Sequence, residues 1–171
     1  LYLTHEANWL PAVYPTNLVK ELLARPDFHT HPGFTNYFYR LNTQRPPLDD
    51  ARVREALNLA VDRQPIVDRL TGLGQLPAAH LVPPGIPGYE SPVSHIRLDV
   101  ERAQALLAEA GFPGGQGFPT IGILYNTLEA HKQIAEVVAD QLRRHLGIEV
   151  RPYNQEWQSY LATWRADQYD I

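Results

Sequence analysis

The stretch from Thr120 to Tyr153 constrains the fold more than any other part of the chain. "TIGILYN", residues 120–126, is rich in strand formers, and "IEVRPY", residues 148–153, is a second such run with Ile148 and Val150 on one face. Between them Ile134, Val137, Val138 and Leu142 recur at helical spacing, and Gly147 stands where the helix must end. Asn126 with Glu129 three residues on predicts the helix start, the reciprocal capping arrangement with Asn in place of Ser or Thr. Two strands joined by a helix of this length form a parallel unit, right-handed by the general rule for such crossovers. The chain is therefore α/β.

The flanking sequence supplies helices to cover that unit. From Asp49 or Asp50 as cap, "ARVREALNLAVDR" places Val53, Ala56, Leu57, Ala60 and Val61 on one stripe. Pro65 suits the first turn of a following helix, with Ile66, Val67 and Leu70 inward and Gly72 at its end. "LDVERAQALLAEAG" reads as a helix capped by Asp99, with Ala103, Leu106, Leu107 and Ala110 as its stripe and Gly111 as its stop. A short helix is expected from Pro15 to Arg25, with Thr16 or Asn17 as cap, and a final one over about 155–166. "FTNYFYRLN", 34–42, alternates Tyr37, Tyr39 and Leu41 with polar residues and predicts a strand. Residues 72–96 hold too much glycine and proline for either element and form a long connection packed on the body. "QYDI" reads as the beginning of another strand. There is no internal repeat and no low-complexity tract.

Composition narrows the function classes. A chain of 171 residues, 44% hydrophobic and 20% charged, can bury one sizeable core, so a single domain over residues 1–171 is expected. A formal net charge of −4 without a basic block argues against nucleic acid as a partner. No apolar run approaches the roughly 20 residues of a membrane span. The absence of cysteine removes thiol chemistry, and the absence of methionine, even at position 1, suggests a segment of a longer protein.

Most chemically suggestive motifs have plain structural readings. His29 and His31 lack the third and fourth ligands that zinc requires, so no metal is expected. "GFPGGQGFP", 111–119, has neither the lysine nor the hydroxyl residue of a phosphate loop and follows a helix, where such loops precede one. Asp49, Asp50, Arg52, Arg54, Glu55, Asp62 and Arg63 read as caps and exposed ion pairs. Ser91, Ser94 and Ser159 sit in no nucleophile elbow. His131 shares the start of a helix with Asn126 and Glu129, which capping accounts for, and is left without a structural job. Trp157 and Trp164, seven apart, share a helix face with Tyr160 and Leu161 between them. Core packing and a cleft wall both fit that pattern.

Four pieces occur in order: "YRLNTQRPPLDDARVREALNLAVDRQPIVD", "LPAAHLVPPGIPGY", "RAQALLAEAGF" and "ILYNTLEAHKQIAEVVADQLRRHLGIEVRPYNQEWQSYL". Their concatenation, from about residue 36 to the end, resembles the extracytoplasmic solute-binding proteins of ABC importers for oligopeptides and dipeptides, the family 5 type. The resemblance implies an α/β lobe with a mixed sheet and packed helices, the C-terminal lobe or domain three of a type II periplasmic-binding-protein-like fold. It implies a receptor that closes two lobes on a peptide or other small solute and presents it to the permease subunits, with no cofactor and with the membrane engaged only indirectly. Its setting would be periplasmic, or extracellular and membrane-anchored.

Carried over by residue, Trp157 in "NQEW" matches a tryptophan facing the ligand cleft, and Asn126 and His131 match positions near side-chain pockets. Gln155 and Glu156 are expected to fix the start of the last helix. Where oligopeptide-binding members can carry an Arg-His pair, this chain has Trp164 and Arg165, and Arg165 is a candidate for a bidentate bond to a ligand carboxylate. A reading from a different class is a hydrolase or transferase using His131 with Glu129 or Glu156.

Overall fold

A computed structural model describes residues 18–30 and 33–171. The proposed caps Thr16 and Asn17, and His31, lie outside the described residues. The elements are α1 (Val19–Leu23), α2 (Ala51–Leu59), a π-helical turn (Ile66–Thr71), α3 (Val100–Glu109), a short 3-10 turn (Pro113–Gly115), β1 (Ile121–Asn126), α4 (Glu129–Leu146), β2 (Val150–Gln155) and α5 (Trp157–Arg165).

The strand, helix, strand unit is present as expected. β1 and β2 pair in parallel, with Ile121 opposite Val150 and Asn126 opposite Gln155. Among the described residues the regular sheet is this parallel pair, so the mixed sheet expected for the lobe is not seen. The free edge of β1 is nonetheless occupied at one point: Leu124 N–H donates to the Ile171 carbonyl (2.8 Å) and Ile171 N–H donates to the Gly122 carbonyl (3.1 Å), a parallel-ladder pattern. This agrees with the strand expected from "QYDI".

Strand alternation divides β1 between two environments. Ile121, Ile123 and Tyr125 join the core, into which α4 sends Ala135, Val138, Ala139, Leu142 and Leu146. α2 contributes Val53, Ala56, Leu57 and Leu59, and α3 contributes Ala103, Leu106 and Leu107. The caps foreseen for these two helices are made, with Asp50 accepting from Arg52 N–H (2.8 Å) and Asp99 from Arg102 N–H (3.0 Å). On the other face, Gly122 leaves room for Tyr153 of β2: a methyl group there would stand 2.6 Å from the Tyr153 ring. The glycines after α3 have a similar role, since a methyl on Gly115 would stand 2.5 Å from the Gly147 carbonyl oxygen.

Four local expectations are corrected. Residues 34–42 form no strand. Alternation correctly turns Tyr39 and Leu41 toward the core, but the backbone has no ladder partner and is tied by Asn36 to the carbonyls of His80 (2.6 Å) and Leu81 (2.8 Å). α2 stops at Leu59, short of Val61, because buried Gln141 takes both the N–H (2.6 Å) and the carbonyl (3.1 Å) of Asp62. The helix after Pro65 is π-helical, closed by Gly72 N–H on the Val67 carbonyl (2.9 Å), with Gly72 left-handed at φ 64. Asn126 does not cap α4: the cap position is Leu128, without a side-chain bond, and Asn126 ends β1.

Candidate functional site

The C-terminal end of β1 opens on a cavity of about 200 Å³. One wall is the irregular segment Tyr37, Phe38, Tyr39 and Arg40; the floor is Leu124, Tyr125 and Asn126 of β1; His131 of α4, Tyr160 and Trp164 of α5, and Tyr169 with Ile171 complete it. Its position follows a general rule of parallel sheets, whose crevices lie beyond the carboxyl ends of the strands. The chain bends there because β1 must hand over to α4 while the segment at 37–40 crosses above. Asn42 holds that crossing, donating to the carbonyls of Asp167 and Tyr169 (both 2.9 Å) while its own backbone N–H donates to the Asp170 carbonyl (2.9 Å).

His131 acquires the role that the sequence left empty. Its Nδ1 lies 2.7 Å from Asn126 Oδ1, across the first turn of α4. An amide oxygen only accepts, so Nδ1 carries the proton and Nε2 is left as an acceptor. Burial pushes the His131 pKa below the ordinary histidine value and favours the neutral ring, opposed by the hydrogen bond the ring donates at Asn126, which favours the charged form. Tyr37 packs on that ring at 5.2 Å between centroids and on Tyr39 edge-to-face at 5.7 Å. Burial pushes both phenols above the ordinary tyrosine range, so they stay protonated. The Tyr39 hydroxyl is buried, with the Tyr37 hydroxyl as its neighbour.

The expected site residues separate into two groups. Asn126, His131 and Trp164 line the cavity together. Trp157 and Arg165 do not. The two tryptophans share a face of α5 but stand about 10 Å apart along its axis. Trp157, 57% exposed, stacks on Tyr160 (5.7 Å, 16°) at the N-terminal end. Gln155 and Glu156 do not fix the helix start by side-chain capping: Glu156 occupies the cap position with no side-chain bond, and Gln155 is the last residue of β2. A half-formed amide there stands out, since Gln155 Oε1 is buried without a partner.

Arg40 is the residue that motif reading missed, together with Tyr37, Tyr39, Tyr125 and Tyr169. Its Cζ lies 4.7 Å from the centre of the Trp164 ring. The available signal was the aromatic density of "FTNYFYR", which exceeds what a single strand face needs for packing.

The cavity lining holds no serine, threonine or carboxylate. Glu129 accepts instead from Gln133 (3.2 Å) on the surface of α4, and Glu156 is exposed, so neither is placed to act with His131. The hydrolase or transferase alternative is thus unsupported. Among the described residues no three histidine or carboxylate side chains are grouped as a metal ion needs, and no helix is long and apolar enough to cross a membrane.

Comparison with known proteins places this geometry. Residues 3–171 match the family described as bacterial extracellular solute-binding proteins, family 5 Middle. The chain is 34% identical over 165 residues to the periplasmic murein peptide-binding protein MppA of Escherichia coli strain K12, covering 92% of this chain and 30% of that protein. It is 34% identical over 171 residues to the periplasmic oligopeptide-binding protein OppA of the same strain, covering 96% and 31%. A crystal structure of a periplasmic oligopeptide-binding protein of Borrelia burgdorferi, OppAIV, superposes with a TM-score of 0.84 at 34% identity, over 91% of this chain and 31% of that one. The chain thus spans about 30% of the length of the relatives it matches. With a family match over nearly every residue and a fold shared with solved members, the chain belongs to the bacterial extracellular solute-binding proteins of family 5.

Proposed function

We propose that this chain is one lobe of a longer, two-lobed receptor that binds oligopeptides or dipeptides in an interlobe cleft and delivers them to the permease of an ABC importer. The observation that carries the reading is the aromatic cavity beyond the end of β1, where Asn126, His131 and Trp164 meet without any nucleophile. Apolar walls with few convergent polar groups suit a ligand held and released unchanged. The lobe performs no chemical step and works outside the cytoplasmic membrane, periplasmically or anchored at the cell surface. Trp164, His131 and Asn126 form the cleft wall, and Trp157 and Arg165 form an outer rim on the same helix. The peptide-binding relatives of similar sequence support the receptor reading.

The test is mass spectrometry of what co-purifies with the full-length polypeptide, followed by calorimetric titration of the peptides identified. Truncating a central aromatic wall, Trp164→Ala, is expected to weaken binding about tenfold or more. Retention of a sugar or another non-peptide solute would overturn the ligand class, and conversion of the retained compound by the purified protein would overturn the receptor reading.

A further inference from the structure

The charge of the cavity is at odds with the charge of the chain. Formal net charge is −4, yet the lining contains no aspartate, glutamate or lysine. With His131 neutral, Arg40 is the sole formal charge among the lining residues, and it is positive. Among the described residues no carboxylate pairs with it.

The position of Arg40 is as informative as its charge. Its guanidinium carbon lies over Trp164, 4.7 Å from the ring centre, where the indole steadies the cation without taking a conventional hydrogen bond from it. A guanidinium steadied on an aromatic ring is pre-organised for a planar, bidentate acceptor, and a carboxylate has that shape. A volume of about 200 Å³ is smaller than pockets that enclose whole small molecules, and it suits one side chain or one chain end.

We propose that this cavity is a carboxylate-selective subsite, in which Arg40, held over Trp164, pairs with an acidic side chain or the terminal carboxylate of the ligand. The subsite rests on the receptor reading above and adds to it a chemical class of ligand. Arg40 is exposed on this chain, and the Trp164 ring beneath it shields one side of the ion pair from water.

The test is titration of the full-length polypeptide, as wild type, Arg40→Gln and Arg40→Lys, with alanine tetrapeptides in which one Glu is moved through each position. Gln counterparts and C-terminal amides complete the panel. At one position Glu is expected to bind about 10- to 100-fold tighter than Gln in the wild type. Arg40→Gln abolishes that preference, so that the Glu and Gln peptides bind it alike, and Arg40→Lys keeps part of it. If an Arg40-dependent loss appears on amidation and not on Glu to Gln exchange, the carboxylate is the chain terminus and the subsite stands with that source. If the panel binds but neither change depends on Arg40, the subsite is refuted while peptide reception stands. If no peptide binds the wild type, both fall.

Discussion

Helices α4 and α5 each follow a strand of the same parallel pair, yet they use their side chains in opposite ways. α4 buries Ala135, Val138, Ala139, Gln141, Leu142 and Leu146. α5 carries Trp157, Tyr160, Leu161 and Trp164 and buries none of its nine residues fully. Small and medium aliphatic side chains let α4 approach the sheet and close the core, whereas the larger aromatics of α5 stand at its surface and around the cavity. Large apolar area is therefore a poor guide to the core of this molecule. On α5 it marks the wall of the cavity and an exposed helix end.

The contrast can be broken most severely from the α4 side. Leu142→Ala should destabilise the chain by about 2–5 kcal/mol, read as a shift of the urea midpoint at constant slope, because a fully buried side chain leaves a cavity. Gln141→Leu should cost about 1–3 kcal/mol in the same assay, since it leaves the buried backbone groups of Asp62 unpaired. At α5, Trp157→Ala should change stability by no more than about 0.5 kcal/mol despite removing the largest side chain, and a loss above 2 kcal/mol would return Trp157 to the core.

The smallest effect concerns pH. Because folding lowers the His131 pKa, the unfolded chain takes up that proton first as pH falls, and stability is lost below about pH 6.5. His131→Gln should flatten part of that decline between pH 7 and 5 in melting curves. A constant difference between the two proteins across that range would reject the assignment.

Legibility in the sequence followed the range of the interactions. The β1–α4–β2 unit, α2 and α3 were readable because their signals are local: periodic aliphatics, Asp50 and Asp99 before a helix, Gly111 and Gly147 after one. Residues 34–42 were misread because a period of two reports which side chains face inward and says nothing about a hydrogen-bonding neighbour. Asn126 was assigned to a cap because an asparagine before a helix can bond either the backbone or a side chain one turn on, and only the fold selects His131. Arg40 and Trp164 meet across 124 positions of sequence, so nothing local announces the pair. Family likeness pointed to Trp157, Asn126 and His131, with Trp164 and Arg165 where this chain departs from an Arg-His pair, but was silent on the cavity that Asn126, His131 and Trp164 share with Arg40.

The contact between the glycine turns also bears on motion. At Gly114 and Gly115 on one side and Gly147 on the other, main chain rests on main chain with no side chains between. Interdigitated side chains can change rotamer and let two helices slide, but two backbones in van der Waals contact have no such slack. The turn that follows α3 and the C-terminal end of α4 are therefore fixed against each other, main chain to main chain.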